Sequence, residues 1–472
     1  MTSIYRLAGP GLLVVGGPVL LNFAFTSGCD GTSGSVDVGM EGGSDGNGTT
    51  TGATSASTTG TTTASTTGTT STTTGATTGA DGGMTTATTT GADGGTTTAT
   101  TTGDSGDNDG GSGSSSGDSG DNADVATPLP GPDGGSSRFV YAAQDDGTIH
   151  VYDINNGHAP VKTFRFTSST SVDVRGAAAA ASTHLFYVMF NGITGNGGHL
   201  VCLDLLTDKI LWDNTSYGPR VDRGDVTPDG SKVYLPSSEE EMLPYESVID
   251  AVTGRLIAKI TMPPMTHDTV CSVDGKKAFM ENKSTDDRIR TVDTATNTVI
   301  ATTDAFSAIV QPFSVTRSNG LVVANVEGVY GFQYADLSSG KILGTALFTG
   351  TTYNGTNWPH GIGITPNENE AWAGDRGTGN HYVHVFDITS LPPKQTRLVT
   401  ISNDNPHWLT FGIDGRFCYV AGAKGLNNST DVVDTTTYRK TASLGPSEDL
   451  LEVDFSHGAV SAVGDQFGVG RQ

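Results

Sequence analysis

Beyond residue 137 the chain reads as short runs of alternating apolar and polar residues, broken at regular intervals by Gly, Pro, Asn and Asp. Alternation of this kind puts every second side chain on one face and predicts β-strands joined by tight turns. In "VIDAVTGRLIAKI" one alternating strand passes through a turn at Gly254 straight into a second, which predicts a hairpin. "DVTPDGSKVYLP" places Pro228-Asp229-Gly230 as another tight turn between strands.

One phrase recurs through this region, a strand that ends in Asp and is followed by a turn bearing Gly or Thr. The copies are "HVYDINNG", "VCLDLLTD", "VIDAVTGR", "TVDTATNT", "QYADLSSG", "VFDITSLP" and "VVDTTTYR". Their Asp residues, Asp153, Asp204, Asp250, Asp293, Asp336, Asp387 and Asp434, are spaced by 51, 46, 43, 43, 51 and 47 residues. A period of about 40 to 50 residues is that of one four-stranded propeller blade. Each Asp is expected to accept hydrogen bonds from backbone amides of the turn that follows it. Seven copies predict an all-β fold, a seven-bladed β-propeller of four-stranded blades. The chain enters at "RFVYAAQDDGTIHVYD" without an inner strand, whereas "LLEVDFSHGAVSAVG" near its end has that strand and no anchor after it. The C-terminal strand is therefore expected to complete the first blade and close the ring.

At "TPDGSKVYLPS", "TPNENEAWAGD" and "GIDGRFCYVAG" the chain resembles the YVTN family of bacterial β-propeller repeats, which carries a Pro-Asp-Gly turn before a Tyr-Val-Thr-Asn strand at these places. The resemblance covers residues 138–472; no copy spells all four letters, and the segments near Ala177 and Val315 depart most. It implies a propeller related in fold to cell-surface proteins and to redox-enzyme propellers, and fold alone does not fix function.

The first part of the chain adds no core. Residues 30–137 repeat phrases such as "TTGATTGADGG" and "SGDSGDNADV" without apolar periodicity, and read as a disordered acidic spacer. Its coil span is roughly 60 Å. Residues 1–29 carry Arg6, an apolar run from Leu7 to Phe25, and Thr26-Ser27-Gly28-Cys29, an export signal with a lipobox-like end. Cys29 is the expected lipidation site. Three further cysteines, Cys202, Cys271 and Cys418, lie in apolar strand contexts and read as buried small hydrophobes.

Thirteen acidic residues and one basic residue precede Ser137, so about half of the net charge of −24 belongs to the folded part. An acidic surface argues against binding nucleic acid through its phosphates.

Aligning the blades on "HGIGITPN" gives one residue per blade at the position of His360: Arg175, Asp222, His267, Gln311, His360, His407 and, from the closing strand, Asp449. All seven are polar and are predicted to ring the mouth of the central channel, where the plain expectation is that water solvates them. Three sharper expectations stand beside it. His360, His407 and Asp449 on successive blades are a ligand set for a divalent transition metal, the one cofactor the pattern admits. Arg175 and protonated histidines suit an anion. Trp358 and Trp408 suit an aromatic rim for a sugar or peptide. Glu239, Glu240 and Glu241 read as an exposed acidic loop, and His381 and His384, three apart on a strand, fall on opposite faces.

The chain contains no GxSxG, HExxH, P-loop or CxxC, and no residue takes a catalytic role from sequence. The leading expectation is an exported, lipid-anchored, monomeric scaffold at the cell envelope. It presents loops to a protein, peptide or glycan partner and touches the membrane only through its anchor. The alternatives are a metal- or redox-linked propeller using His267, His360 and His407, related in fold to nitrous oxide reductase and quinoprotein amine dehydrogenases, and a lactonase-like hydrolase that depends on Arg175.

Overall fold

The computed structural model describes residues 136–193, 197–355, 357–422 and 429–464, together with the backbone of 85–90 and 96–101. The signal segment and Cys29 lie outside the described residues. Within the Thr-rich region, Thr85–Thr90 and Thr96–Thr101 pair as an antiparallel hairpin, Thr85 opposite Thr101. The sequence reading assigned no element there; β-branched Thr has a strand preference that a search for apolar alternation does not register.

From Ser136 onward the protein is a ring of seven antiparallel sheets. Blades 2 to 7 are four-stranded meanders beginning at Val172, Asp225, Thr266, Val310, His360 and Pro406. Blade 1 is assembled from both ends of the domain: Asp449–Ser456 pairs along its whole length with Ser136–Ala143, ahead of Thr148–Asp153 and Ala159–Arg165. The predicted closure by the C-terminal strand is present. The first strands of successive blades touch one another around the ring, from Val172–Ala180 through to Asp449–Ser456 and back, and so line the centre.

Beyond the predicted closure, Ala459–Val463 adds a fifth strand to blade 1. It pairs with Val453–Ser456 on the edge facing the ring centre, at the end away from Asp449. Its Val460 and Val463 join the core between blades 1 and 2.

The inner three strands of each blade bury both faces because each blade is sandwiched between two others, whereas the outermost strands, such as Thr298–Thr302, stay largely exposed. Seven apolar clusters result, one per blade interface. Tyr141 packs towards blade 2 while Val140 and Ala142, one position away, pack towards blade 7. Period-two alternation here separates two interfaces rather than core from water.

All seven anchor Asp side chains do what the repeat predicted: Asp153, Asp204, Asp250, Asp293, Asp336, Asp387 and Asp434 each accept a backbone amide of the following turn at 2.7–2.9 Å. The three described cysteines are free and buried, and they lie in three different blade interfaces.

The two faces of the ring differ. The face of the anchor turns is built from short connections such as 227–231, 251–255 and 294–297. The opposite face, where the inner strands begin, carries the long connections 215–224, 236–244 and 348–359.

Candidate functional site

The seven aligned residues sit where the inner strands begin, and in five blades that point is a β-bulge. Register shifts fall between Val174 and Gly176, Thr266 and Thr269, Val310 and Phe313, His360 and Ile362, and Pro406 and Trp408. Bulges insert an extra residue, twist the strand and re-aim side chains, and they recur beside functional sites. In blades 2 and 7 the inserted residue is the aligned one, Arg175 and His407. In blade 4 the bulge holds both His267 and Asp268.

The result is a closed floor rather than a wet channel. Asp222, His267, His360, His407 and Asp449 are all buried, as are Arg223 and Asp268 one position further along. The expectation of simple solvation therefore fails: the bulge in blade 4, and in blade 3 the segment just before the inner strand, turn consecutive polar residues inward to buried positions.

The pairs are specific. Arg175 holds Asp222 with two parallel bonds, Nε to Oδ1 at 3.0 Å and Nη2 to Oδ2 at 3.1 Å, and also reaches Glu239 Oε1 at 3.1 Å. Lys283 bonds the other Glu239 oxygen. Burial opposes ionisation of Glu239, but Lys283 and Arg175 outweigh it and hold the carboxyl well below its usual range. Glu239 is thus turned inward rather than exposed; Ser238, with φ +82°, sets that turn of the chain. Glu240 does stay exposed, pairing with Arg220.

At the centre, the Arg223 guanidinium lies 3.0 Å from the Trp408 ring centroid and bonds Asp449. Trp408 is therefore a central packing residue rather than a rim residue. Trp358 is elsewhere, stacked on Tyr353 with ring centroids 4.3 Å apart in the 348–359 connection. Gln311 is turned to Glu327 of its own blade, at 2.8 Å.

His360 and His407 stack face to face, centroids 3.9 Å apart and planes 9° apart. His360 Nδ1 donates to the His407 carbonyl at 2.7 Å, and His407 Nδ1 lies 2.6 Å from Glu448 Oε1 without hydrogen-bond alignment. Imidazole lone pairs lie in the ring plane, so parallel stacked rings aim them side by side and not at one point. Asp449 is taken by Arg223. These three residues are neighbours, but the structure does not bring them together as a ligand set.

The carboxylate and imidazole atoms that do converge belong to Asp222, Glu239 and His267, within 4.8 Å of one another. His267 Nδ1 is held by Glu281 Oε1 at 2.6 Å. Burial, followed by the charges of Lys283 and Arg175, pushes the His267 imidazolium pKa well below its ordinary value. Burial does the same for His360 and His407, reinforced at His407 by Arg376 and Arg175. All three rings are neutral near pH 7, which removes the protonated histidines required for an anion site. Burial pushes the Glu281 and Asp268 carboxyls up.

Sequence reasoning missed Arg223, Asp268, Glu281, Lys283, Arg376 and Glu448. Strict alternation sends Arg223 and Asp268 to the face opposite Asp222 and His267; only the local irregularity turns both inward. One signal was available: the strand "KAFMENK" ends its apolar run on Glu281 and Lys283, charged residues at the ring end of a second strand.

A separate cluster on the same face belongs to blade 6. Asp375 accepts from Tyr330 at 2.6 Å and Asn380 at 3.0 Å, with His384 Nε2 at 3.2 Å, and His384 stacks on Phe348 at 3.8 Å.

No protein-family model matches the chain, and no curated protein matches it. Among solved structures, the crystal structure of the β-propeller domain of Myceliophteria thermophila Cps50 (Swd1) is similar, with 11% sequence identity and a TM-score of 0.49 over 62% of this chain and 91% of that one. Residues 136–464 form an all-β, seven-bladed propeller of four-stranded blades, the first completed by C-terminal strands.

Proposed function

We propose that this protein is an exported, lipid-anchored scaffold of the YVTN type, which binds a protein, peptide or glycan at the cell envelope through the face where its inner strands begin. The observation that carries this reading is the asymmetry of the two faces. Short anchored turns build one; the other carries the three long connections around a floor of paired charges. Loops on a rigid frame are where binding specificity concentrates. Arg175, Glu239, Lys283 and Glu448 each keep about a tenth of their side-chain surface accessible, so the floor shows both signs of charge to a partner. The stacked Tyr353 and Trp358 add an apolar contact on the same face. The three described thiols are buried in blade interfaces, with those of Cys202 and Cys418 pushed up by burial, and so offer no nucleophile to that face.

The test is binding of the full chain to peptide and glycan arrays, repeated after replacing 236–244 and 348–359 by short turns and, separately, after replacing the anchor-face turn 294–297. Loss of the bound ligand with the first pair and retention with the second is the expected result. Binding that tracks the anchor face overturns the reading.

A further inference from the structure

We propose that the 348–359 connection between blades 5 and 6, with the 377–380 turn beside it, is a binding shelf for a neutral carbohydrate, on which a sugar ring stacks against Trp358 while its hydroxyls meet Asn354 and Asn357. This narrows the reading above to one ligand class and rests on its choice of face.

The shelf is held from beneath by neutral and charge-assisted hydrogen bonds. Buried Asp375 accepts from the Tyr330 hydroxyl at 2.6 Å and from the Asn380 amide at 3.0 Å. The same two groups reach the connection: Tyr330 Oη lies 2.8 Å from Thr351 Oγ1, and the Asn380 amide donates to the Thr352 carbonyl at 3.3 Å. Gln395 holds the backbone N–H and carbonyl of Thr349 at 2.8 and 2.9 Å. The turn packs closely on the connection, because a Cβ added to Gly355 would come within 3.0 Å of Thr378 Oγ1 and 3.1 Å of its backbone nitrogen. Above this base Tyr330, Tyr353 and Trp358 follow one another, with ring centroids 5.4 and 4.3 Å apart and the last two planes 4° from parallel. A surface fixed before the ligand arrives spares the cost of ordering it.

The chemistry of the shelf selects the ligand. The other two long connections on this face are charged, 215–224 through Arg220, Asp222 and Arg223 and 236–244 through Glu239, Glu240 and Glu241. Residues 348–359 and 377–380 contain no charged side chain, in a chain of net charge −24. They offer aromatic rings, amides and hydroxyls instead. Trp358 stacks on Tyr353 through one face, has no ring partner on the other among the described residues, and is only partly buried. The C–H bonds on one side of a pyranose present weak positive charge to the negative face of such a ring. The Asn354 and Asn357 side chains are exposed, and neither they nor the Trp358 N–H nor the Tyr353 hydroxyl enters a hydrogen bond among the described residues. An amide both donates and accepts, which suits neighbouring sugar hydroxyls, and nothing here rewards a carboxylate, sulfate or ammonium group. A protein partner fits less well, since a stable interface covers about 800 Å² on each side around an apolar core and two part-buried rings do not supply one.

The experiment titrates the full chain with cellohexaose, maltohexaose, chitohexaose and mannohexaose as neutral probes, and with hexagalacturonic acid and a heparin hexasaccharide as charged ones, by calorimetry and tryptophan fluorescence. At least one neutral probe is expected to bind and to shift the emission, and neither charged probe to match it. Trp358→Ala is expected to weaken that binding about ten-fold or more and to remove the shift, whereas Trp358→Phe keeps most of the affinity. Because Trp358 lies at the surface, unfolding curves that coincide with wild type separate lost stacking from lost structure. Failure of all four neutral probes, stronger binding of a charged probe, or neutral binding that survives Trp358→Ala overturns the proposal. A peptide ligand that needs 236–244 and ignores Trp358→Ala also overturns it while the broader reading stands; binding that tracks the anchor face removes both.

Discussion

Replacing Arg223 by Met tests whether the middle of the ring is a packed charge network. Arg223 and Asp449 expose about 1% and 0% of their side chains and are bonded to each other, with the guanidinium lying on Trp408. Met keeps much of the apolar stem but leaves the Asp449 carboxylate buried without its partner. Breaking one side of a buried ion pair costs about 3–5 kcal/mol. Loss of a desolvated guanidinium–indole contact accounts for about 2 kcal/mol of that order. Burial already raises the Asp449 carboxyl, and Arg223 is the largest influence pulling it back, so the variant protonates Asp449 and the cost falls as pH drops. Guanidinium chloride unfolding at pH 7.5, followed by both tryptophan fluorescence and far-UV dichroism, reads the effect. The double variant Arg223→Met/Asp449→Leu leaves no orphaned charge and is expected to recover to within about 1–2 kcal/mol of wild type. A loss below about 1 kcal/mol in the single variant, or a double variant that shows the plain sum of two losses, would refute the packed-centre argument.

Other consequences are open to direct measurement. Burial pushes Glu246 up to about 8, with Thr269 Oγ1 donating to it at 2.6 Å. A carboxyl raised above its unfolded value favours the folded state while protonated, so the wild type should lose stability as pH rises from about 4.5 towards 8. Unfolding of Glu246→Gln should lack that slope, the two curves separating by up to the order of 4 kcal/mol, and parallel curves would contradict it. Cys202, Cys271 and Cys418 should resist a thiol reagent in the native protein and react once unfolded, because all three are buried and burial pushes the Cys202 thiol up to about 12 and the Cys418 thiol well above its ordinary value; fast native labelling at any of them would count against the described interfaces. Deleting 447–472 removes the inner strand of blade 1 and should prevent the domain from folding, read by loss of cooperative unfolding. A truncated chain with wild-type stability would mean that closure contributes nothing. Fatty-acid labelling in cells should require Cys29, and label retained in Cys29→Ala would exclude Cys29 as the lipidation site.

What could be read from the sequence follows from what the fold must repeat. Every blade ends its third strand in the same turn, so Asp153 to Asp434 recur at one period, and their hydrogen bonds are local enough to be inferred from the phrase alone. Ring positions such as His360 and His407 could be placed because they stand at a fixed offset from repeated turns. The contacts they make could not. Strand alternation assumes a period of two, and bulges at Arg175, His267 and His407 break it where the site forms. Glu239 comes from the connection between second and third strands, whose length differs from blade to blade, so no alignment points to it, and its acidic neighbours suggested solvent. Arg223 meets Asp449 across 226 residues of chain, a pairing set by ring closure and by nothing local.

The most direct test of the central claim, that the beginnings of the inner strands pack into a closed, buried floor, is a pH titration of histidine-labelled full-length protein by ¹H–¹³C NMR, with His267, His360 and His407 assigned through His→Gln variants. Burial holds all three rings neutral, so their signals should show no titration between pH 8 and pH 5.5. Titration of the three with midpoints near the ordinary value of about 6.5 would mean an open, solvated channel and would contradict the account.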